Sequence, residues 1–468
     1  MTSVNSVTSY NKTPGFDDFV PFAQFAHFIH KIAYYEISLI HTIWKMVNTF
    51  DEIDETSKVF YKNNSTVTHI IPKISSFFIN KDGLLTPIYD NPLQKLPSFA
   101  FWTCKNLVSV TLPPGITSIG SSAFDGCENL KSVVLPKSIK DIQDNAFWNC
   151  KELTQITIPP YLDKMGLNDM IFIGCKMLVE IDLPDYLILI KEFTFSGCES
   201  LKYISLPKNL EIIGSHVFSG CKSLEYIDIP EKVHSIGNNA FENCHNLRSI
   251  TLPNLVTLLE SYIFHNCTHL ESMILPDSIH KLGECTFVGC TNLINVTLPK
   301  YITSIPIRTF ENCESLKRVD IPEGVTEIDH GVFMNCKSLE YIDIPKNVSI
   351  IGNNAFKNCH TIRTITLPKN ESFFLGINAF TQCINLESVI IHSDIRRLDK
   401  TFDGCKKLVN ITLPSTITSL GPYTFRNCKN LETITLPDSI QKCDESIFDG
   451  CIRLKNETLL KNITSVPI

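Results

Sequence analysis

Sixteen of the eighteen cysteines stand on a single register that runs from Cys104 to Cys451. Twelve of the fifteen intervals are 23 residues, and the other three are 25, 24 and 22. A fixed period in the twenties marks a solenoid, a stack of supersecondary units that each contact only their neighbours. The 468 residues would suggest about three domains by size, but a stack of this kind is not divided by length. The spacing argues against a zinc site, whose cysteines pair about two to four residues apart. Eighteen cysteines in so long a chain are also too few for a disulfide scaffold. Free cysteine packs as a small buried hydrophobe, and sixteen equivalent copies fit that role.

The unit from Cys221 reads CKSLEYIDIPEKVHSIGNNAFENC, and the unit from Cys127 reads CENLKSVVLPKSIKDIQDNAFWNC. Both follow C-x-x-L-x-x-[IV]-x-[LI]-P-x-x-[IV]-x-x-[IL]-G-x-x-[AT]-F-x-[NG]-C, with glycine the least regular position. Leu130, Val133 and Leu135 alternate with Ser132 and Val134, a period of two that specifies a short strand. Stacked copies place these strands in a parallel sheet with one face buried. Proline follows the strand in fourteen of sixteen units, and His392 and Leu460 take its place in the others. Proline cannot donate to a ladder, so it marks where the strand stops.

The residue before each register cysteine is glycine or asparagine except at Thr103 and Gln382. These two types enter the left-handed backbone region most readily, so φ > 0 is expected there. Phenylalanine stands three residues before every register cysteine, from Phe101 to Phe448. The Phe-x-x-Cys element is expected to form a short helical turn. An aromatic column then runs beside the thiol column at the strand spacing of about 4.8 Å.

The string LPxxIxxIGxxAFxxCxxLxxIxLP resembles the BspA-like leucine-rich repeats of bacterial and protist proteins, over roughly residues 99 to 460. The resemblance implies a right-handed solenoid with a parallel sheet on one face. It also implies recognition of other proteins, since several members are cell-surface proteins implicated in adhesion and host contact. Together with the unit's own chemistry it gives an α/β repeat fold. The expectation is a leucine-rich-repeat solenoid of about 16 repeats over residues 99–468, with a parallel β-sheet on one face, short helical turns on the other, and a helical N-terminal cap.

Outside the repeats, residues 1–16 are polar and read as disordered. Between 17 and 59, Phe22, Phe25, Ile29, Ile32, Ile37, Ile40, Ile43 and Val47 fall near helical spacing, which points to a helical cap over the apolar end of the stack. A separate partner-binding helix is the competing reading. Residues 60–98 carry degenerate coil fragments such as Val67-Thr-His-Ile-Ile-Pro72 and read as the first coils.

A net charge of −7 argues against nucleic acid, which calls for clustered positive charge. No stretch offers about 20 nearly uninterrupted apolar residues, so no membrane span is expected. The first ten residues lack a basic segment followed by an apolar one, and the last four lack a prenylation cysteine. The expected placement is therefore cytoplasmic, with the cell surface as the alternative that the resemblance implies. No GxGxxG, Walker loop or HExxH pattern occurs, and no cofactor, metal site or catalytic residue is assigned. Cys244-His245 and Cys359-His360 place a thiol next to an imidazole, but both cysteines belong to the register. Cys285 stands off it, where most units carry a polar residue, and is the candidate reactive thiol. An enzyme is not expected.

The outward face of the sheet is left as the place for function. Each unit projects two strand residues there, including Tyr203/Ser205, Tyr226/Asp228, Arg318/Asp320 and Tyr341/Asp343, while most other pairs are Ser, Thr and Asn. Tyrosine and arginine are favoured at recognition hot spots. Tyr203, Tyr226, Asp228, Arg318, Tyr341 and Asp343 are therefore the expected contact surface for a protein partner. The competing reading is a solvated sheet face rich in residues that suit strands. The expected function is non-enzymatic protein–protein interaction, either in cell-surface adhesion and recognition or as an intracellular scaffold or regulatory adaptor.

Overall fold

The computed structural model describes residues 94–455, apart from 106, 113, 163–166 and 393, together with two short strands, Phe77–Ile79 and Leu85–Pro87. The chain divides into two compact units, Met1–Lys73 and Ile74–Ile468, and every described residue lies in the second. The expected disordered segment 1–16 and helical cap 17–59 lie outside the described residues. Within the expected first coils, Phe77–Ile79 pairs antiparallel with Leu85–Pro87. Lys95–Leu96 is the first strand to stack in parallel, on Ser118–Ile119.

The strand read from the sequence is present in coil after coil. Ser109–Thr111, Ser132–Val134, Gln155–Thr157 and Glu180–Asp182 form one parallel run, each strand paired with its equivalent in the next coil. Tyr226–Asp228 pairs with Ser249–Thr251, and Ser272–Ile274 continues through Asn295–Thr297 to Arg318–Asp320. From Ser109–Thr111 to Arg318–Asp320, the central residue of each three-residue strand is buried while its flanks point out, as at Tyr226, Ile227 and Asp228. The period-two alternation is therefore real, and it faces the apolar residue to the core.

Most coils also carry a second, two-residue strand just before the glycine position, reduced to a single bridge residue at Leu167, Leu258 and Lys281, which the sequence did not suggest. Leu189–Ile190, Ile212–Ile213 and Ser235–Ile236 pair in parallel, as do Ser304–Ile305, Glu327–Ile328, Ile350–Ile351 and Phe374–Leu375. The backbone comes close at the corner that follows. A Cβ on Gly237 would lie 2.5 Å from the Ser215 nitrogen of the preceding coil, so only glycine fits there in this backbone conformation.

The third side differs from expectation, because no helix occurs among the described residues. The Phe-x-x-Cys element is a pair of tight turns. Around Cys244, Glu242 N donates to Asn239 O and Cys244 N donates to Phe241 O, the spacing of β-turns. The intervening amides leave the coil altogether: Asn239 N, Phe241 N and Asn243 N donate to Ser261, Ile263 and His265 of the next one. A helix would need those amides for its own i−4 carbonyls. Left-handed residues produce this alternation. The residue before the cysteine has φ > 0 in all sixteen units, including Thr103 and Gln382. The residue five before it is also left-handed in fifteen of them, from Phe99 to Tyr423. Each coil is thus hydrogen-bonded to its neighbours on three sides.

Where asparagines follow one another in the slot before the cysteine, their amides form a ladder. Asn335 donates to Asn312 at 2.7 Å and Asn358 donates to Asn335 at 2.6 Å. Glycine follows asparagine where that side chain fills the space above, as at Gly289, whose Cβ would lie 2.3 Å from the Asn266 Oδ1.

The core consists of continuous columns. The phenylalanines from Phe101 to Phe448 stack ring on ring, with centroids 5.1–5.8 Å apart and planes within 3–14° of parallel. Those separations exceed the coil rise of about 4.8 Å, so the rings slide into the offset stacking their quadrupoles favour. The 24- and 22-residue units do not break the column: Phe356–Phe380 and Phe380–Phe402 stand 5.2 and 5.8 Å apart.

Candidate functional site

All eighteen cysteines are free, and fifteen are buried. From Cys127 to Cys451, each register thiol donates to the carbonyl of the phenylalanine one coil back, as Cys244 Sγ does to Phe218 O at 3.1 Å. The thiol is therefore a weak donor that reaches one specific acceptor, as well as a small hydrophobe. Burial pushes Cys244 and Cys359 well above the ordinary thiol range. Burial likewise pushes the adjacent His245 and His360 imidazoles down. With Cys359 Sγ held on Phe333 O, neither Cys-His pair is a nucleophile and base. Cys285 is corrected too. It is buried and left-handed, and desolvation raises its pKa despite a hydrogen bond with Tyr262. Cys451, in the last described coil, is the thiol whose pKa is lowered, by its hydrogen bond with Cys428. Among the described residues no three His, Cys, Asp or Glu side chains converge as a metal site.

The six sequence-chosen residues all lie on the outward sheet face. Tyr203, Tyr226 and Tyr341 are exposed by 56%, 50% and 53%. Asp228, Arg318 and Asp343 are exposed beside them. The structure gathers them in two groups. Tyr203 and Asp228 help line a shallow cavity of about 340 Å³ at the strand ends, with Lys208 and Glu231 on its rim. Tyr226 lies next to Asp228 in the same strand. Three coils of mostly small residues then intervene. Arg318 and Tyr341 bridge adjacent coils, and Asp343 follows Tyr341 on the same face.

Electrostatics changes the standing of one residue. Arg318 Nε donates to Asp320 Oδ1 at 2.7 Å within its own strand, so its charge is already met. Asp228 and Asp343 have no such partner among the described residues. The neighbouring charges are mostly neutralised by the coil repeat itself. Lys202 pairs with Glu225 at 3.2 Å and Arg248 with Glu271 at 3.5 Å. Glu199 lies between Lys176 and Lys222 at 2.9 and 3.0 Å, and their hydrogen bonds hold its carboxyl below the usual range. Exposed pairs of this kind contribute about 0–1 kcal/mol each. They leave Asp228 and Asp343 as unpaired carboxylates beside the tyrosines, while Glu180 and Asp182 are exposed on the same face one coil before Tyr203.

The BspA type leucine rich repeat region profile matches residues 71–169, 166–294, 257–375 and 374–467. A leucine-rich repeat protein from Bacteroides ovatus is 25% identical, with a TM-score of 0.55 over 84% of this chain and 94% of that one. A leucine rich cell surface protein from Faecalibacterium prausnitzii is 21% identical over 76% of this chain and 92% of that one, with a TM-score of 0.35. A leucine-rich repeat protein from Eubacterium ventriosum is 21% identical over 83% of this chain and 96% of that one, with a TM-score of 0.32. No curated protein matches the chain. Among the described residues no helix is long and apolar enough to cross a membrane. The repeat profile covers more than half of the sequence, and the chain belongs to the BspA type leucine-rich-repeat family.

Proposed function

We propose that this chain is a non-enzymatic protein-binding solenoid. Its contact surface is the outward sheet face around Tyr203, Tyr226, Asp228, Arg318, Tyr341 and Asp343. The observation that carries the reading is the half-exposure of three outward tyrosines, Tyr203 and Tyr226 on adjacent coils and Tyr341 on a coil bridged to Arg318. A flat sheet holds such rings with little freedom left to lose on binding. Arg318 contributes as a hydrogen-bonding edge next to Asp320 rather than as a free cation.

The test compares protein capture by the full chain with capture by a Tyr226→Ala/Tyr341→Ala variant, using zero-length cross-linking to map contacts. Loss of the captured partner, with melting unchanged, is expected. An identical set of partners on both chains would sink the choice of face.

A second reading, an intracellular scaffold or adaptor, is favoured by eighteen free thiols, since thiols persist in reducing compartments. Labelling of intact cells distinguishes it from the adhesion reading. Surface labelling supports adhesion, and labelling only after lysis supports the scaffold.

A further inference from the structure

The outward face repeats itself at a larger period than the coil. Lys222–Pro230, KSLEYIDIP, recurs residue for residue as Lys337–Pro345, 115 residues or five coils later. The coils that follow keep the order of outward residues, so that Ile274 recurs as Ile390 and Asn295 as Asn410. The coil before each Tyr/Asp strand does not: it offers Tyr203 and Ser205 in one copy and Arg318 and Asp320 in the other.

Between 222–246 and 337–361 there are six differences, all off the outward strand, and two reverse charge: Glu231 against Lys346 and Glu242 against Lys357. The core does not hold Tyr226 or Asp228 in place, because both side chains are exposed. An evenly drifting copy would have changed them as readily as its rim.

We propose that Tyr226/Asp228 and Tyr341/Asp343 are two equivalent stations for one extended basic segment of a protein partner, which presents an arginine or lysine to each. This rests on the reading that the face binds protein. Each station offers an exposed aromatic face two residues from a carboxylate that has no ion pair among the described residues. That combination suits a guanidinium or ammonium group, which can lie over the ring and pair with the acid. The chain builds the same arrangement internally: the Arg426 guanidinium lies 4.2 Å from the Tyr423 ring centroid while its Nε donates to Asp403 at 3.0 Å. At about 4.8 Å per coil the stations are about 24 Å apart, which an extended peptide spans in about seven residues. Linking two weak contacts on one segment raises their joint affinity without any new contact.

The experiment titrates the full chain with three fluorescent peptides by anisotropy. One carries two Arg-Arg pairs separated by seven Gly/Ser residues, one carries a single pair, and one replaces every arginine with glutamate. The two-pair peptide is expected to bind about 100-fold more tightly than the one-pair peptide. It is also expected to weaken as salt rises and to fall to the one-pair affinity in either Asp228→Asn or Asp343→Asn. Equal affinity for the one- and two-pair peptides overturns the two-station inference. So does an unchanged affinity in both Asp228→Asn and Asp343→Asn, or preference for the glutamate peptide. If the captured protein partner still depends on Tyr226 in that case, the protein-binding reading stands without the stations. If it does not, both fall.

Discussion

The interior columns and the outward strand columns of this stack obey opposite rules. Inside, phenylalanine and cysteine recur in every coil from Phe101 to Cys451 with hardly a deviation in geometry. Outside, the paired strand residues change from coil to coil, from Tyr/Asp to Ser/Thr to Ser/Ile. Translational stacking explains the difference. An interior residue must fit the coil above and the coil below, so its shape is fixed by copies of itself. An outward residue meets water and is free to differ, and that is where individual identity is written.

Six substitutions test that division, and Phe264→Ala should have the largest effect. The ring is fully buried between Phe241 and Phe287, and its loss should cost about 3–5 kcal/mol, read as a lowered denaturation midpoint. A cost below about 1 kcal/mol would mean that the column is not under mutual constraint. Gly237→Ala should follow, at about 1–3 kcal/mol, because the added carbon meets backbone of the preceding coil. Gly324→Ala is its control, since the nearest atom there lies 3.3 Å away, and the two should differ clearly.

Cys244→Ala should cost about 1 kcal/mol for the lost donor on Phe218 O. Cys244→Ser, which keeps a donor, tests whether the hydrogen bond or the bulk of sulfur matters more. In the native chain, alkylation should be confined to Cys104, Cys443 and Cys451, the three thiols that are not fully buried.

A pH-dependent effect tests the exterior of the turn side. Burial lifts Asp125 to about 6, against hydrogen bonds from Trp102 and Ser122 that lower it. Its folded pKa is above its unfolded one. Its contribution is therefore fully present below about pH 4 and is lost as pH rises through about 6. Asp125→Asn should raise the melting temperature relative to the native chain at pH 7 and erase the difference near pH 4. A constant difference across that range would assign the effect to packing.

Much of this was legible in the sequence because it repeats. One Leu-x-x-Val-x-Leu alternation is weak evidence for a strand, whereas sixteen in register are decisive. The left-handed slot before the cysteine could be read because glycine and asparagine share one backbone property. Its twin five residues before the cysteine could not. Phe99, Met170, Tyr262 and Arg308 all occupy it, and no residue type unites them. Hydrogen bonds to the next coil impose that conformation, so the signal lies in the stacking. The same cause defeated the expected helical turns, since amides sent to a neighbouring coil are lost to a helix. The second sheet was missed because two residues cannot display a period of two. On the face, type and exposure of the six residues could be read, but the Arg318–Asp320 pair could not. A five-coil repeat was hidden under the stronger one-coil repeat.

The thiol column also makes the stack a record of its own opening. While coils stay closed, fifteen thiols are shut away from peroxide and from each other's chemistry. Their raised pKa values keep the reactive thiolate scarce. A coil that opens exposes a thiol, and oxidation beyond the sulfenic stage would place an irreversible acid where a buried donor had been. Such a coil cannot close again on its neighbour. Each sulfinate would then mark the place where the stack first parted, and damage would spread outward from that mark one coil at a time.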